Sequence, residues 1–377
     1  MVQEGGGRYF IAPRDAPLEN ILFTPYWRFK GMVFSSDEQG LVQRLVDSNL
    51  LALHSTAFPF SLGIRPQVLR LKPITPGIGG RFLDPEFQFQ GFHSNHRDPH
   101  RFRGNFDHDR APLFKAFIGE MLSLIYAPFY VKDERLFDGV LDCPTGQLVQ
   151  ERLEDLPYSQ NLDNNTRFLP MLCPTCGWDL EGEKNALVLL CRNCDSACQA
   201  SGATFHKVDF GFMPGTDDAS LYLPFWRIQA RISELALNSY ADLVRFANLP
   251  RAIQSSWEEG PTAFWVPAFK IQPLLFLRLA RIFTAAQLPC EPPGIIPPSA
   301  QHPVSLPVSE AAESVRVLLV SMATRKESVF AKLSGASIGH EEYSLVYVPF
   351  ILRGAELIHP VMQVSISANA VSWGKFL

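Results

Sequence analysis

An apolar run broken by one proline, with aromatics on both sides, recurs along this chain. It reads Leu22-Phe23-Thr24-Pro25-Tyr26-Trp27, Ile125-Tyr126-Ala127-Pro128-Phe129-Tyr130 and Leu221-Tyr222-Leu223-Pro224-Phe225-Trp226, with looser copies at Phe264-Trp265-Val266-Pro267-Ala268-Phe269 and Val346-Tyr347-Val348-Pro349-Phe350-Ile351. An aromatic stands two residues before every proline, and in all copies but the fourth another follows directly. Proline has no amide to give to a ladder, so within a sheet it belongs at an edge, a strand start or a bend. The pattern predicts equivalent strands, each bent at the same place, in related β-rich units with different insertions. The intervals are unequal, which excludes a fixed-period solenoid. Chance enrichment in a chain rich in Phe and Pro is the competing reading. The shared continuations Trp27-Arg28-Phe29 and Trp226-Arg227-Ile228 weigh against it.

Polar breaks after the prolines predict hairpins. Lys132-Asp133-Glu134-Arg135 precedes the apolar Leu136 to Leu141, and Arg353-Gly354-Ala355-Glu356 precedes Leu357-Ile358-His359. Ser35 to Gly40 forms a similar break before Leu41 to His54. That last stretch also fits a helix through Val42, Val46 and Leu50, and strand is the preferred reading. Helices are expected from Pro273, well suited to a first helical position, and from Glu310 to Met322 with Ser309 as cap. A third covers Ile232 to Phe246. Pro289 to Pro307 reads as a stiff extended linker.

The expected fold is therefore α+β and β-rich, built of related hairpin and strand units with an insertion. The divisions are an N-terminal β-rich unit (1–165), an inserted metal-binding module (166–208), a middle α+β unit (209–290), a Pro-rich linker (291–307) and a C-terminal hairpin unit (308–377). A length of 377 residues suffices for two or three cores. Hydrophobic residues reach 46%, and the net charge of −4 gives no whole-protein field that would favour nucleic acid. The longest apolar stretch, Ala263 to Leu288, contains Lys270, Arg278, Arg281 and Pro273, so no transmembrane segment is expected. Met1-Val2-Gln3-Glu4-Gly5 has no basic lead into an apolar run, so no secretory signal is expected either.

Cysteines change the picture. Cys173-Pro174-Thr175-Cys176-Gly177 is followed by Cys191-Arg192-Asn193-Cys194. Each Cys-x-x-Cys offers two soft donors from one tight turn, and two such turns close a tetrahedron around a metal ion. Leu187 to Leu190 reads as a strand feeding the second turn, with Asp179 to Asn185 as a hairpin tip. Zinc is the expected ion and iron the alternative. Four protein ligands leave no position for a reacting water, which argues against metal catalysis. Cys198 could replace a ligand but reads as a spare thiol beside the site. Cys143 and Cys290 are isolated. Thiols in this pattern suit a reducing compartment, so a cytoplasmic location is expected. A module this small should depend on its ion for order, while the flanking units fold without it.

Other chemistry is sparse. His93 to His108 mixes His, Arg and Asp around Pro99 and Gly104. It reads as a solvated loop, against a second metal site or an acid–base centre. No phosphate loop, dinucleotide fingerprint or nucleophile elbow is present, and no catalytic residue is assigned.

The paired Cys-x-x-Cys turns together with strands such as Tyr222-Leu223-Pro224-Phe225-Trp226 resemble a loose group of bacterial zinc-ribbon proteins, often labelled primosomal-helicase-like by the ribbon alone. The ribbon here is internal, where that group would have it near the N-terminus, and no helicase motif accompanies it. The resemblance implies an accessory or assembly role beside other proteins. The expected function is thus a non-enzymatic zinc-ribbon protein that scaffolds a protein complex, with peripheral membrane association allowed. Nucleic-acid binding through the ribbon and iron-thiolate electron transfer are the alternatives.

Overall fold

The computed structural model describes residues 8–14, 20–37, 40–63, 71–74, 78–86, 114–148, 153–159, 169–183, 186–201, 204–214, 219–289, 296–297, 299–324, 329, 332–333 and 339–374. The His93 to His108 segment and Cys290 lie outside them. Strands outnumber helices, and the protein is a β-rich α+β fold. The chain divides into two compact units. One is Met1–Gly31, Val46–Ser94 and Met121–Arg167; the other is Met32–Leu45, Asn95–Glu120 and Phe168–Leu377.

The first sheet holds β1 (Arg8–Ile11), β2 (Leu22–Asp37), β3 (Gly40–Leu51), β4 (Leu71–Pro73), β5 (Arg81–Leu83), β6 (Phe114–Lys132), β7 (Arg135–Asp138), β8 (Cys143–Leu148) and β9 (Tyr158–Ser159). Its order is β4-β1-β6-β2-β5-β9, with β3 on β2 and β7 joining β6 to β8. Gly40–Leu51 is a strand, as preferred over a helix. A small antiparallel sheet follows: β10 (Val188–Cys191), β11 (Ser196–Ser201) and β12 (Thr204–Val208). The last sheet comprises β13 (Phe210–Phe212), β14 (Leu221–Arg231), β15 (Thr262–Pro267), β16 (Ala300–Gln301), β17 (Gly339–Arg353), β18 (Glu356–Ile358) and β19 (Ser365–Ser367).

All five prolines of the repeated pattern lie in strands, and side-chain parity explains the motif. Residues two before and one after the proline point to opposite faces of the sheet. Phe23 and Tyr126 pack into one core cluster with Phe10 and Phe82, whereas Tyr26 and Phe129 pack into another with Leu53 and Phe58. In the second unit Tyr222 and Tyr347 meet Phe212, while Phe225 meets Phe269 and Phe283. The motif therefore marks strands buried on both faces.

The two units repeat one topology in one register. β1 runs parallel to β6 with Phe10 opposite Tyr126, and β13 runs parallel to β17 with Phe212 opposite Tyr347. In both pairs the partner is the aromatic two residues before the proline. β5 pairs parallel with β2 at Phe23, and β16 with β14 at Tyr222, again that position. The hairpin after Pro128 sets Lys132 opposite Arg135, and the one after Pro349 sets Arg353 opposite Glu356. Smaller details repeat too. The Pro25 carbonyl accepts from the Ala52 amide and the Pro224 carbonyl from the Ala268 amide, each at 2.9 Å. The carbonyls of Ala52 and Ala268 in turn accept from Glu86 and Ser305.

Helices pack in the second unit: α1 (Tyr240–Ala247), α2 (Pro273–Ala286), α3 (Val308–Met322) and α4 (Ala368–Gly374). α2 begins at Pro273 as expected. α1 starts later than the apolar spacing from Ile232 suggests. A capping box between Ser239 and Asp242 sets its start, and the residues before it form a short 3-10 turn ended by left-handed Ala236. α3 is capped at Pro307, with no side-chain hydrogen bond, and Ser309 lies inside the helix. The Pro-rich stretch near residue 300 is extended but not free. Its Ala300–Gln301 pairs with β14, and Val304 and Leu306 are buried.

His359 packs between Phe283 and Phe350 and is 2% exposed. Its Nδ1 accepts the amides of Val361 and Met362 at 3.2 and 3.1 Å. Burial pushes its pKa down to about 4. The unfolded chain takes up this proton near pH 6.5, the folded one only near pH 4, so His359 favours folding fully above pH 6.5 and less as pH falls toward 4. Between pH 7 and 5 the loss should be about 2 kcal/mol. Urea midpoints at both pH values should show this loss in the native protein and a smaller one in His359→Asn, whose amide oxygen replaces Nδ1. Equal losses would exclude His359 as the source.

Candidate metal centre

The second Cys-x-x-Cys turn joins β10 to β11, and the first joins two short bridged segments. Leu172 bridges Asp179 across the first turn, and Glu181 bridges Leu190, which ties that hairpin to β10. Both turns end on a left-handed residue. The Gly177 amide donates to the Cys173 carbonyl at 2.9 Å. Gly177 has φ +73°, a left-handed conformation that glycine adopts without strain, and Asp195, one residue after Cys194, has φ 46°. Backbone amides then face the first sulfur of each turn: Thr175 and Cys176 toward Cys173, Asn193 and Cys194 toward Cys191.

This brings Cys173, Cys176, Cys191 and Cys194 together with all Sγ atoms within 4.8 Å of one another. Cys173 Sγ lies 3.6 Å from Cys194 Sγ, and Cys176 Sγ 3.5 Å from Cys191 Sγ. These separations exceed a disulfide bond of about 2.05 Å. They approach the edge, about 3.8 Å, of a tetrahedron with metal–sulfur bonds of about 2.3 Å. The four thiols are close enough to bind one metal ion.

Electrostatics point the same way. Burial opposes ionisation of Cys173, yet hydrogen bonds from the Ser196 hydroxyl and the Thr175 and Cys176 amides outweigh it and bring its pKa down to about 5. For Cys194 the Ser196 hydroxyl favours the thiolate, but burial and the neighbouring Cys176, Cys173 and Cys191 push it up to about 12. Burial also raises Cys191, while the Asn193 side chain and Trp178 amide lower Cys176. Four thiolates this close repel one another, and a bound cation relieves that conflict.

Cys198 is fully buried in β11 opposite Leu189 and Lys207 and stands outside the four-sulfur group. Cys143 is exposed. Ser196 belongs to neither Cys-x-x-Cys motif. Its hydroxyl lies 3.1 Å from Cys194 Sγ and 3.6 Å from Cys173 Sγ. Its position two residues after the last ligand, at the start of a strand, is the one sequence signal. Around the first turn Met171, Leu172 and Trp178 are 47%, 46% and 60% exposed, an apolar surface beside the thiols. The module is not self-contained either, since Val188, Leu190 and Ala197 belong to the main core of the second unit.

Fold and site together define a β-rich α+β protein with four cysteines close enough to hold one metal ion. Compared with known protein families, curated proteins and solved structures, the chain matches none of them.

Proposed function

We propose that this protein is a non-enzymatic zinc-ribbon protein that scaffolds or assists assembly of a protein complex in the cytoplasm, with peripheral membrane association allowed. The observation that carries the reading is the closed donor set. Cys173, Cys176, Cys191 and Cys194 lie together, and four thiolates are enough to complete a tetrahedron around one ion with no open position for a substrate or reacting water. Zinc suits a four-thiolate structural site, with iron as the rival ion. Such a metal builds a surface, and the exposed Met171, Leu172 and Trp178 beside it offer apolar area for a protein partner. Among the described residues no helix is long and apolar enough to cross a membrane.

Purification under native conditions tests the reading. A stoichiometric protein partner is expected to co-purify and to be lost, by about tenfold or more in affinity, in Trp178→Ala, as for an aromatic anchor at an interface centre. Nucleic-acid affinity that falls steeply with salt, with no protein partner, would replace this reading with the nucleic-acid one.

A further inference from the structure

The second cysteine turn does more than hold sulfurs. Arg192, between its two cysteines, donates through Nε to Glu181 Oε2 at 2.9 Å, through Nη1 to the Pro297 carbonyl at 3.2 Å and through Nη2 to Gln301 Oε1 at 2.8 Å. Asp195, directly after Cys194, accepts the Ile296 amide through Oδ1 at 2.8 Å. The Leu187 amide, at the foot of β10, donates to the Val304 carbonyl at 2.8 Å. Apart from the bond to Glu181, these four contacts fall on one extended strap, made of Ile296, Pro297 and residues 299–304. On its other side the strap lies on β14. Ala300 and Gln301 pair with Leu221 and Tyr222, and the His302 amide donates to the Tyr222 carbonyl at 2.8 Å.

The strap's two ends are held differently. Downstream, the Leu306 amide bonds the Ala268 carbonyl at 3.0 Å and Trp226 Nε1 bonds the Leu306 carbonyl at 2.8 Å. These two bonds involve no residue of the cysteine turns. Upstream, the outer contacts come from Arg192 and Asp195, whose positions depend on a turn that two ligands shape. The first unit supplies the control. Its equivalent segment, β5, is covered by ordinary strand β9, with Phe82 opposite Ser159, Leu83 opposite Tyr158 and the Asp84 amide on the Pro157 carbonyl at 2.9 Å. Where one unit uses a strand, the other uses the cysteine module.

We propose that Arg192 and Asp195 are positioning residues that latch the strap to the second cysteine turn, so that metal binding at the thiols and closure of the β16 edge of the last sheet are one coupled equilibrium. The proposal rests on the metal reading above. Coupling of this kind is reciprocal. Losing the metal loosens the strap's upstream half, and cutting the latch weakens metal binding by about tenfold or more, as for other groups that orient a ligand-bearing turn.

Hydrogen exchange on the full-length protein, with zinc content and affinity measured on the same samples, tests this. With zinc bound, the His302 and Leu306 amides should both be protected. Chelation should speed exchange at His302 at least tenfold and leave Leu306 unchanged. Arg192→Ala/Asp195→Ala keeps all four thiols. It should bind zinc about tenfold more weakly and exchange quickly at His302 even when loaded, with Leu306 protection reporting that the unit remains folded. Should loss of both side chains unfold the unit, Gln301→Ala, which removes one latch contact from the strap side, should lower zinc affinity in the same direction. Equal His302 protection with and without zinc, or native affinity in these variants, would overturn the latch while the metal site stands. A native chain that binds no zinc would overturn the metal reading and the latch with it.

Discussion

Cys191→Ser is expected to retain no metal and to melt well below the native protein in its second unit. Cys191 is fully buried, ends β10 and supplies one of the four donors. Structural zinc contributes on the order of 10 kcal/mol to modules of this type. Part of the order here has another source, because Val188, Leu190 and Ala197 pack into the main core of the second unit. That attachment also carries the damage outward. The sequence alone suggests that only the module would unfold, whereas its strands share a core with β14, β15 and β17. A net loss of about 5 kcal/mol corresponds to a melting shift of about 10–20 °C in a unit of this size. Limited proteolysis should open new cuts within 169–201 and near 299–302. Retained metal with no new cleavage would remove Cys191 from the ligand set.

The second large effect concerns the first unit and involves no metal. Arg28 Nε and Nη2 donate to Asp47 Oδ1 and Oδ2 at 2.7 and 2.6 Å, a two-pronged pair with side chains only 8% and 11% exposed. Removing one partner from a buried pair strands a charge and costs about 3–5 kcal/mol. Asp47→Ala should therefore be strongly destabilising in chemical denaturation. Replacing both partners by apolar residues, Arg28→Met with Asp47→Leu, should recover most of the loss, because no charge is then left without its counterpart. A double variant as unstable as Asp47→Ala would show that the shape of the pair, not its charge, is what the unit requires.

Much of the β architecture is legible in the chain because its cause is local. The aromatic-x-Pro-aromatic step places one large ring on each face of a strand, and that parity can be read from Phe23 and Tyr26 alone. The turns at Asp133-Glu134 and Gly354-Ala355 are equally local, as is the start of α2 at Pro273. What escapes is long-range. The pairings of Phe10 with Tyr126 and of Phe212 with Tyr347 are parallel, so no hairpin turn announces them. The common topology of the two units rests on those pairs. The Pro-rich stretch reads as linker because prolines cannot donate to a ladder. Its binding uses the residues between them, the amides of His302 and Ser305 and the buried Val304 and Leu306. The onset of α1 is misjudged from Ile232 because apolar spacing continues through a 3-10 turn, while the capping box at Ser239 and Asp242 decides the boundary.

The four ligand candidates are legible because two Cys-x-x-Cys turns constrain sulfur positions more tightly than any fold-level pattern does. Ser196, Arg192 and Asp195 are less so. A hydroxyl beside a thiolate, or a guanidinium that reaches a distant carbonyl, leaves no spacing rule in the sequence. The roles of Arg192 and Asp195 depend on where Pro297, Gln301 and Ile296 come to lie.

X-ray absorption at the metal edge of the purified protein, with elemental analysis of the same sample, tests the central claim most directly. A colourless protein with about one zinc per chain and a first shell of four sulfurs at about 2.3 Å is expected. A red protein whose metal is iron, or a zinc shell containing nitrogen or oxygen in place of a sulfur, would contradict it.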